Sequence, residues 1–365
     1  MKIPFLDLAR SYQAHATDID ARMRDVAASG AYVLGKNVER FEAAVADYLG
    51  TRFAVACNSG TDALKLGLAA LGLRQGDEVI TTAFTFAATV EAIQYVGAQA
   101  VLVDIDADTC NIDVGNVEAA ITPKTRGLIP VHLFGLPAAM PELMTIANKH
   151  DLVIVEDCAQ SFGAAIGGRA VGTFGNAGAF SFYPTKNLGC LGDGGMVTTD
   201  DADVDRRLRE LRNHGIGAAG EHVALGYNSR LDELQAAVLE VKLAHVDAMN
   251  ERRRQIAERY NHSLSSAGAR TIAVPANTRH SWGYYTIFVD DRDGLRAGLA
   301  DAGIATALYY SKPLHQHKHF SRTCRWASLD VATDLAAHCL SLPIFPEMRD
   351  DEVDYVASTT AALLS

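Results

Sequence analysis

Lys186 sits in Ser181-Phe182-Tyr183-Pro184-Thr185-Lys186-Asn187, and Gly189, Gly192, Asp193, Gly194 and Gly195 follow at once. Glycines at this density allow close backbone approach and positive φ, and a lysine held between a proline and such a turn is restrained as a surface lysine is not. Lysine amines form Schiff bases with carbonyl carbons when desolvation or a nearby cation lowers their pKa. A second segment, Val155-Glu156-Asp157-Cys158-Ala159-Gln160-Ser161, closes an apolar run with adjacent carboxylates, one of which should point inward. A carboxylate so placed keeps a heterocyclic nitrogen protonated, the state in which a pyridine ring acts as an electron sink. The third segment, Asn58-Ser59-Gly60-Thr61-Asp62-Ala63-Leu64, leads small residues into a helix whose free N–H groups and positive dipole end suit a phosphate. Taken singly, Ser59 is equally an ordinary N-cap, and either acid by itself reads first as a helix cap or a solvated loop residue.

Those segments need a scaffold that brings them together. Between about residues 43 and 199, helical stretches alternate with short apolar runs at 78–82, 100–104, 127–131, 152–156, 179–183 and 195–199. This alternation predicts βαβ units and an α/β fold with a mainly parallel sheet, in which ligands lie beyond the carboxyl ends of the strands. Helical spacing over 230–266, with Leu234, Val238, Val241, Leu243 and Val246, predicts one long helix joining two domains and stopping near Gly268. Arg252, Arg253 and Arg254 are expected on its solvated face. A strand at 282–289 and helices at 293–302 and 350–364 make a small α+β domain. The expected division is 1–245 and 246–365, since a chain of 365 residues exceeds what a single core usually fills.

With 48% hydrophobic and 21% charged residues, the composition is that of a soluble globular protein, and no apolar run reaches the roughly 20 residues of a membrane helix. Asp7, Arg10 and Asp18 interrupt the N-terminal region, so no export signal is expected and the cytoplasm is the default location. Six scattered cysteines without a C-x-x-C pair suggest neither a zinc site nor a disulfide framework. A net charge of −11 disfavours nucleic acid as a partner.

Together the three segments, with Phe5-Leu6-Asp7-Leu8, Gly76-Asp77-Glu78-Val79-Ile80, Phe84-Thr85-Phe86 and Gly226-Tyr227-Asn228-Ser229-Arg230-Leu231-Asp232, carry a resemblance that runs nearly end to end. The chain resembles the DegT/DnrJ/EryC1/StrS sugar aminotransferases, which are fold-type-I pyridoxal-phosphate enzymes. The resemblance implies that Lys186 forms the Schiff base with the cofactor and later moves protons between the substrate carbon and C4′. It implies that Asp157 partners the pyridine nitrogen, that Gln160 donates to the ring hydroxyl and that Phe86 stacks on the ring. Gly60, Thr61 and Ser181 would receive the phosphate, and Asn228 would reach it from a neighbouring subunit, which implies a homodimer with shared active sites. The implied reaction is ping-pong transfer of an amino group from L-glutamate to a nucleotide-linked keto-sugar. Tyr309, Tyr310, Pro313 and Leu314 match a family segment near the sugar pocket, and His132 and Arg230 lie in matching motifs, with packing or loop roles left open for them. Ser-Phe-Tyr-Pro-Thr-Lys and Tyr-Tyr-Ser-Lys-Pro-Leu-His look more like enzymes aminating C3 than C4 of the hexose, although Tyr309 departs from commoner versions of that segment.

Rival motifs are present. Gly215, Gly217 and Gly220 spell G-x-G-x-x-G, a dinucleotide signature only where it follows a strand and opens a helix, and the flanking sequence predicts neither. Cys190 near Lys186 raises a cysteine desulfurase. His315, His317 and His319 alternate with no local acid or thiol to complete a metal site. A non-catalytic regulator on the same fold, or a sugar dehydratase in which histidine replaces the lysine, is the remaining alternative, and Lys186 argues against both.

Overall fold

Runs of four or five small and apolar residues, short enough to be covered on both faces, form most of an eight-stranded sheet. Its spatial order is Phe53–Cys57, Gly195–Thr199, Ala177–Ser181, Val153–Asp157, Thr125–Leu128, Glu78–Thr82, Gln99–Val103 and Arg325–Trp326. The structure is a computed structural model describing residues 1–365. Every neighbouring pair is parallel except those made by Gly195–Thr199, which runs antiparallel to both of its neighbours. The strands expected at 78–82 and 195–199 stand as expected, and the other four shift by one to three residues. Phe53–Cys57 was not anticipated. Two of its five residues, Ala54 and Ala56, are of a type depleted in strands and favoured in helices, so its composition does not separate it from the helices on either side.

The Gly60–Ala70 helix lies on this sheet and buries Ala63, Leu64, Leu66 and Leu68 against it. Gly67 brings it close, since a Cβ there would stand 3.4 Å from Val155 Cγ1. That approach sets the first turn of the helix beside the carboxyl ends of Val153–Asp157 and Ala177–Ser181.

The long helix expected over 230–266 is two helices, Glu233–Leu243 and Val246–Leu264, broken at Ala244 and His245. Apolar spacing continues through the break because Val246 is buried at the new helix start, so the sequence pattern shows no interruption. The expectation of a solvated arginine face also fails for its middle member. Arg253 is 4% exposed and donates to the carbonyls of Trp282 and Ile344, whereas Arg254 pairs with Glu251 and Glu258 at the surface. Successive helical residues are about 100° apart, so three consecutive residues cannot all share the outer face.

A second core forms where Val246–Leu264 and Asp350–Leu364 cover a small antiparallel sheet of Arg270–Thr271, Tyr285–Phe288 and Cys339–Leu342. Ile256, Tyr260, Ile287, Leu340, Leu342 and Val356 fill it. The strand expected at 282–289 shortens to Tyr285–Phe288, and the helix expected at 293–302 spans Arg292–Asp301. Two segments cross between the cores. Ile3 packs into the second one through backbone bonds with Gly303 and Ala305, and Arg325–Trp326 extends the main sheet beside Gln99–Val103.

Glu233, buried at the start of its helix, accepts N–H bonds from Gly35, Asn37 and Val38 and from the Asn37 amide, which caps the Lys36–Leu49 helix from a distant part of the chain. Glu233→Ala leaves those donors unpaired and should cost about 1–3 kcal/mol of stability in urea unfolding; an unchanged midpoint would show the cap to be redundant.

Candidate active site

Strand alternation separates the adjacent carboxylates. Successive side chains of a strand point to opposite faces, and Glu156 turns away from the ligand side, accepting N–H bonds from Gly172, Phe174 and Gly175. Asp157 turns into a cavity of about 350 Å³. Its Oδ2 accepts from Thr89 Oγ1 at 2.8 Å and its Oδ1 from the Ala159 N–H at 3.1 Å. No cation lies within ion-pairing distance, and burial raises its pKa against those two hydrogen bonds.

Lys186 enters the same cavity from the loop after Ala177–Ser181. Its Nζ stands 5.9 Å from the centroid of the Tyr284 ring. Burial pushes the ammonium down to about 8, with Asp157 and Tyr183 opposing. A protein with neither group partnered holds an amine ready to be neutral and a carboxylate awaiting a cation.

The remaining walls come from the segments singled out in the sequence. Gly60 and Thr61 open the Gly60–Ala70 helix, capped by Ser59, whose Oγ accepts from the Asp62 N–H. The Gly60 and Thr61 N–H groups find no acceptor in the chain. A Cβ at Gly60 would stand 2.6 Å from Ser181 Cβ, so only glycine lets helix and strand meet there. Phe86, 59% exposed, presents its ring at the rim. Gln160 is fixed by accepting from the Phe134 N–H and donating to the Tyr310 hydroxyl, which leaves one amide hydrogen for a ligand. Tyr309 and Tyr310 complete the lining.

Three candidate residues lie elsewhere. His132 is fully buried, with Nδ1 accepting from the Ala138 N–H and Nε2 facing Glu156, so it braces the strand end and cannot touch a sugar. Arg230 reaches Asn213 at 3.3 Å, and Asn228 is exposed, bridged to Asn213 outside the cavity. Conversely Thr89 and Tyr284, which line the site, were not singled out. Thr89 follows Thr85 by one helical turn and the two hydroxyls lie 3.0 Å apart, a spacing readable in sequence. Tyr284 carried no signal beyond strand propensity.

The rival motifs lose their settings. Gly217 and Gly220 lie in a turn closed by the Ile216–His222 bridge, with Gly215 buried just before it, and none of the three opens a helix. Cys190 is buried outside the cavity, donating to the Phe182 and Gly192 carbonyls, and burial pushes its thiol up to about 11.

Pyridoxal phosphate fits what is left open here. Unclaimed N–H groups at a helix start suit its phosphate, the unpaired Asp157 its ring nitrogen, and the depressed Lys186 amine its aldehyde. A parallel sheet with one antiparallel strand and this cavity at its carboxyl edge define a pyridoxal-phosphate-dependent aminotransferase. The chain belongs to the DegT/DnrJ/EryC1/StrS aminotransferase family, whose model matches residues 13–361. A relative from Acidithiobacillus ferrooxidans, named UDP-N-acetyl-3-dehydro-α-D-glucosamine 3-aminotransferase, is 45% identical over 98% of this chain and 96% of its own. One from Geobacillus stearothermophilus, named a pleiotropic regulatory protein, is 43% identical over 99% and 98%. The X-ray structure of S. venezuelae DesV in complex with a ketimine intermediate superposes with a TM-score of 0.97 at 42% identity, covering 100% of this chain and 99% of that one. Solved relatives also include aminotransferases holding the amine form of the cofactor.

In cofactor-free protein, Lys186 should react with pyridoxal at a rate that falls about tenfold per pH unit below a midpoint near 8, because only the neutral amine attacks. The difference between wild type and Lys186→Ala isolates this amine; a midpoint near the ordinary lysine value of about 10.4 would mean that burial does not depress it.

Proposed function

We propose that this enzyme transfers the amino group of L-glutamate to C3 of a nucleotide-linked 3-keto hexose, working as a homodimer with shared active sites. The observation that carries it is the convergence of the Lys186 amine, the unpaired Asp157 carboxylate and the open Gly60–Thr61 amides on one cavity. Relatives named for 3-dehydro, 3-oxo or 3-amino sugars support amination at C3.

Bound pyridoxal phosphate supplies the electron sink. The chain supplies everything else. Gly60, Thr61 and Ser181 would hold the phosphate, Asp157 would keep the ring nitrogen protonated, Gln160 would donate its spare N–H to the ring hydroxyl, and Phe86 would stack on the ring. Lys186 would carry the proton between the substrate carbon and C4′, a 1,3 shift that an amine held in place makes fast. Tyr309 and Tyr310, which line the cavity, would border the sugar.

Asn228 and Arg230 suit a role across a dimer, because they stand outside their own cavity on a segment where Leu225 is 91% and Val223 59% exposed. Apolar side chains so exposed mark a surface that a second copy covers. The division at 245/246 falls at the break between two helices, which suits a large cofactor domain and a small covering one. No helix is long and apolar enough to cross a membrane, and together with the acidic surface this fits a cytoplasmic enzyme. The regulatory reading rests on the names of two relatives, a pleiotropic regulatory protein and a sensory transduction protein, and leaves the Lys186 amine without a task.

A visible absorbance spectrum tests the proposal. The cofactor band should bleach with L-glutamate and return with one member of a panel of UDP- and dTDP-linked 3-keto and 4-keto hexoses. Lys186→Ala should show neither the Schiff-base band nor turnover. A band that ignores every amino donor and every sugar would favour the regulator instead, and a response to 4-keto sugars alone would move the amination to C4.

A further inference from the structure

Behind Lys186, outside the cavity, four segments meet at a pair of amides. Asn187, the residue after Lys186, is 4% exposed, and its Nδ2 donates at 2.7 Å both to Asn250 Oδ1 and to the Ser281 carbonyl. Asn250, on the Val246–Leu264 helix, donates in turn to the Phe162 carbonyl at 3.0 Å. Phe162 lies in the loop that follows Asp157 and carries Gln160, and Ser281 lies three residues before Tyr284. The chain of bonds has one polarity. Both hydrogens of Asn187 are used and Asn250 accepts on one side while donating on the other, so flipping either amide sets oxygen against oxygen.

The backbone around the pair leaves room for it and for nothing larger. Gly163 has φ of +86°, and a Cβ there would collide with the Asn250 amide. A Cβ at Gly283 would stand 2.5 Å from the Gln160 carbonyl and 3.3 Å from Asn187 Oδ1. Lys242 adds a further tie by donating to the Gly189 carbonyl at 2.6 Å. The Lys186 loop is therefore held from behind by helices that contribute no group to the cavity.

We propose that Asn250 is a positioning residue for Lys186: through Asn187 it fixes the pose of the lysine loop, and through Phe162 it fixes that pose relative to the loop that follows Asp157. The inference rests on the assignment of Lys186 as the cofactor lysine. Proton transfer by a held amine depends on its placement, and a displacement of about 1 Å can slow such a step by about 100-fold. Removing the Asn250 amide leaves Asn187 with an unused hydrogen and the Phe162 carbonyl without its donor, so both loops gain freedom while the cavity keeps every group.

Asn250→Ala and the equal-sized Asn250→Asp, which lacks the donor to Phe162, are to be compared with wild type as the cofactor-loaded enzymes. Wild-type bleaching by L-glutamate checks the underlying assignment; were wild type itself inert, that assignment would fall and not the positioning role alone. Given active wild type, both variants should take up pyridoxal phosphate and melt as single transitions. The pH midpoint of the visible Schiff-base band should move by at least about half a unit, and single-turnover bleaching at saturating glutamate should slow about 10- to 100-fold with little change in the half-saturating concentration. Folded variants with wild-type midpoint and rate would overturn the proposal. Failure of both variants to fold would overturn it too, by making Asn250 a structural residue.

Discussion

Burying a carboxylate is unfavourable unless charge or hydrogen bonds replace the lost water, and Asp157 receives only two hydrogen bonds and no cation. Its environment is incomplete as the chain stands, and a protonated ring nitrogen would complete it. The same desolvation acts on Lys186 with the opposite consequence, removing the proton that would block its attack. Burial thus disfavours charge on both groups, leaving the amine ready to be neutral and the carboxylate in need of a cation to stay ionised, and the surrounding fold serves to keep those two groups together.

The sheet does this by direction. Parallel strands deliver their carboxyl ends, and the loops after them, to one edge. Asp157 closes one strand, Ser181 another, and the Lys186 loop continues from it, while the Gly60–Ala70 helix brings its unpaired amides to that edge. Glu156 and His132 show the other face of the same arrangement. One residue before Asp157, the strand points the opposite way, and a carboxylate there ties down the 172–175 turn instead of meeting a ligand.

Function on this scaffold depends on sites rather than on fold, and the likeness to an enzyme and to a regulator in the same family illustrates the point. What separates the two readings is a small set of atoms. A regulator could bind pyridoxal phosphate with the phosphate cradle and the ring contacts alone. A transaminase also needs an amine held beside the reacting carbon, and the loop that supplies it here is anchored from behind by Lys242, Asn250 and Gln235, the last accepting from the Leu191 N–H.

Sequence alone determined the chemistry-bearing segments, because local composition carries them: glycines around a lysine, paired acids closing an apolar strand, small residues opening a helix. It also determined the α/β class, since strand and helix periods differ enough to be read from one chain. Phe53–Cys57 escaped because its alanines blend with the flanking helices, and the break at Ala244 and His245 escaped because apolar spacing crosses it unchanged. That His132 braces the strand end, that Arg253 is buried among carbonyls, and that Asn250 meets Asn187 were decided only by tertiary structure. Those outcomes depend on where residues far apart in the chain come to lie, and a side chain's role is set by its partners in space, which no local window of sequence contains.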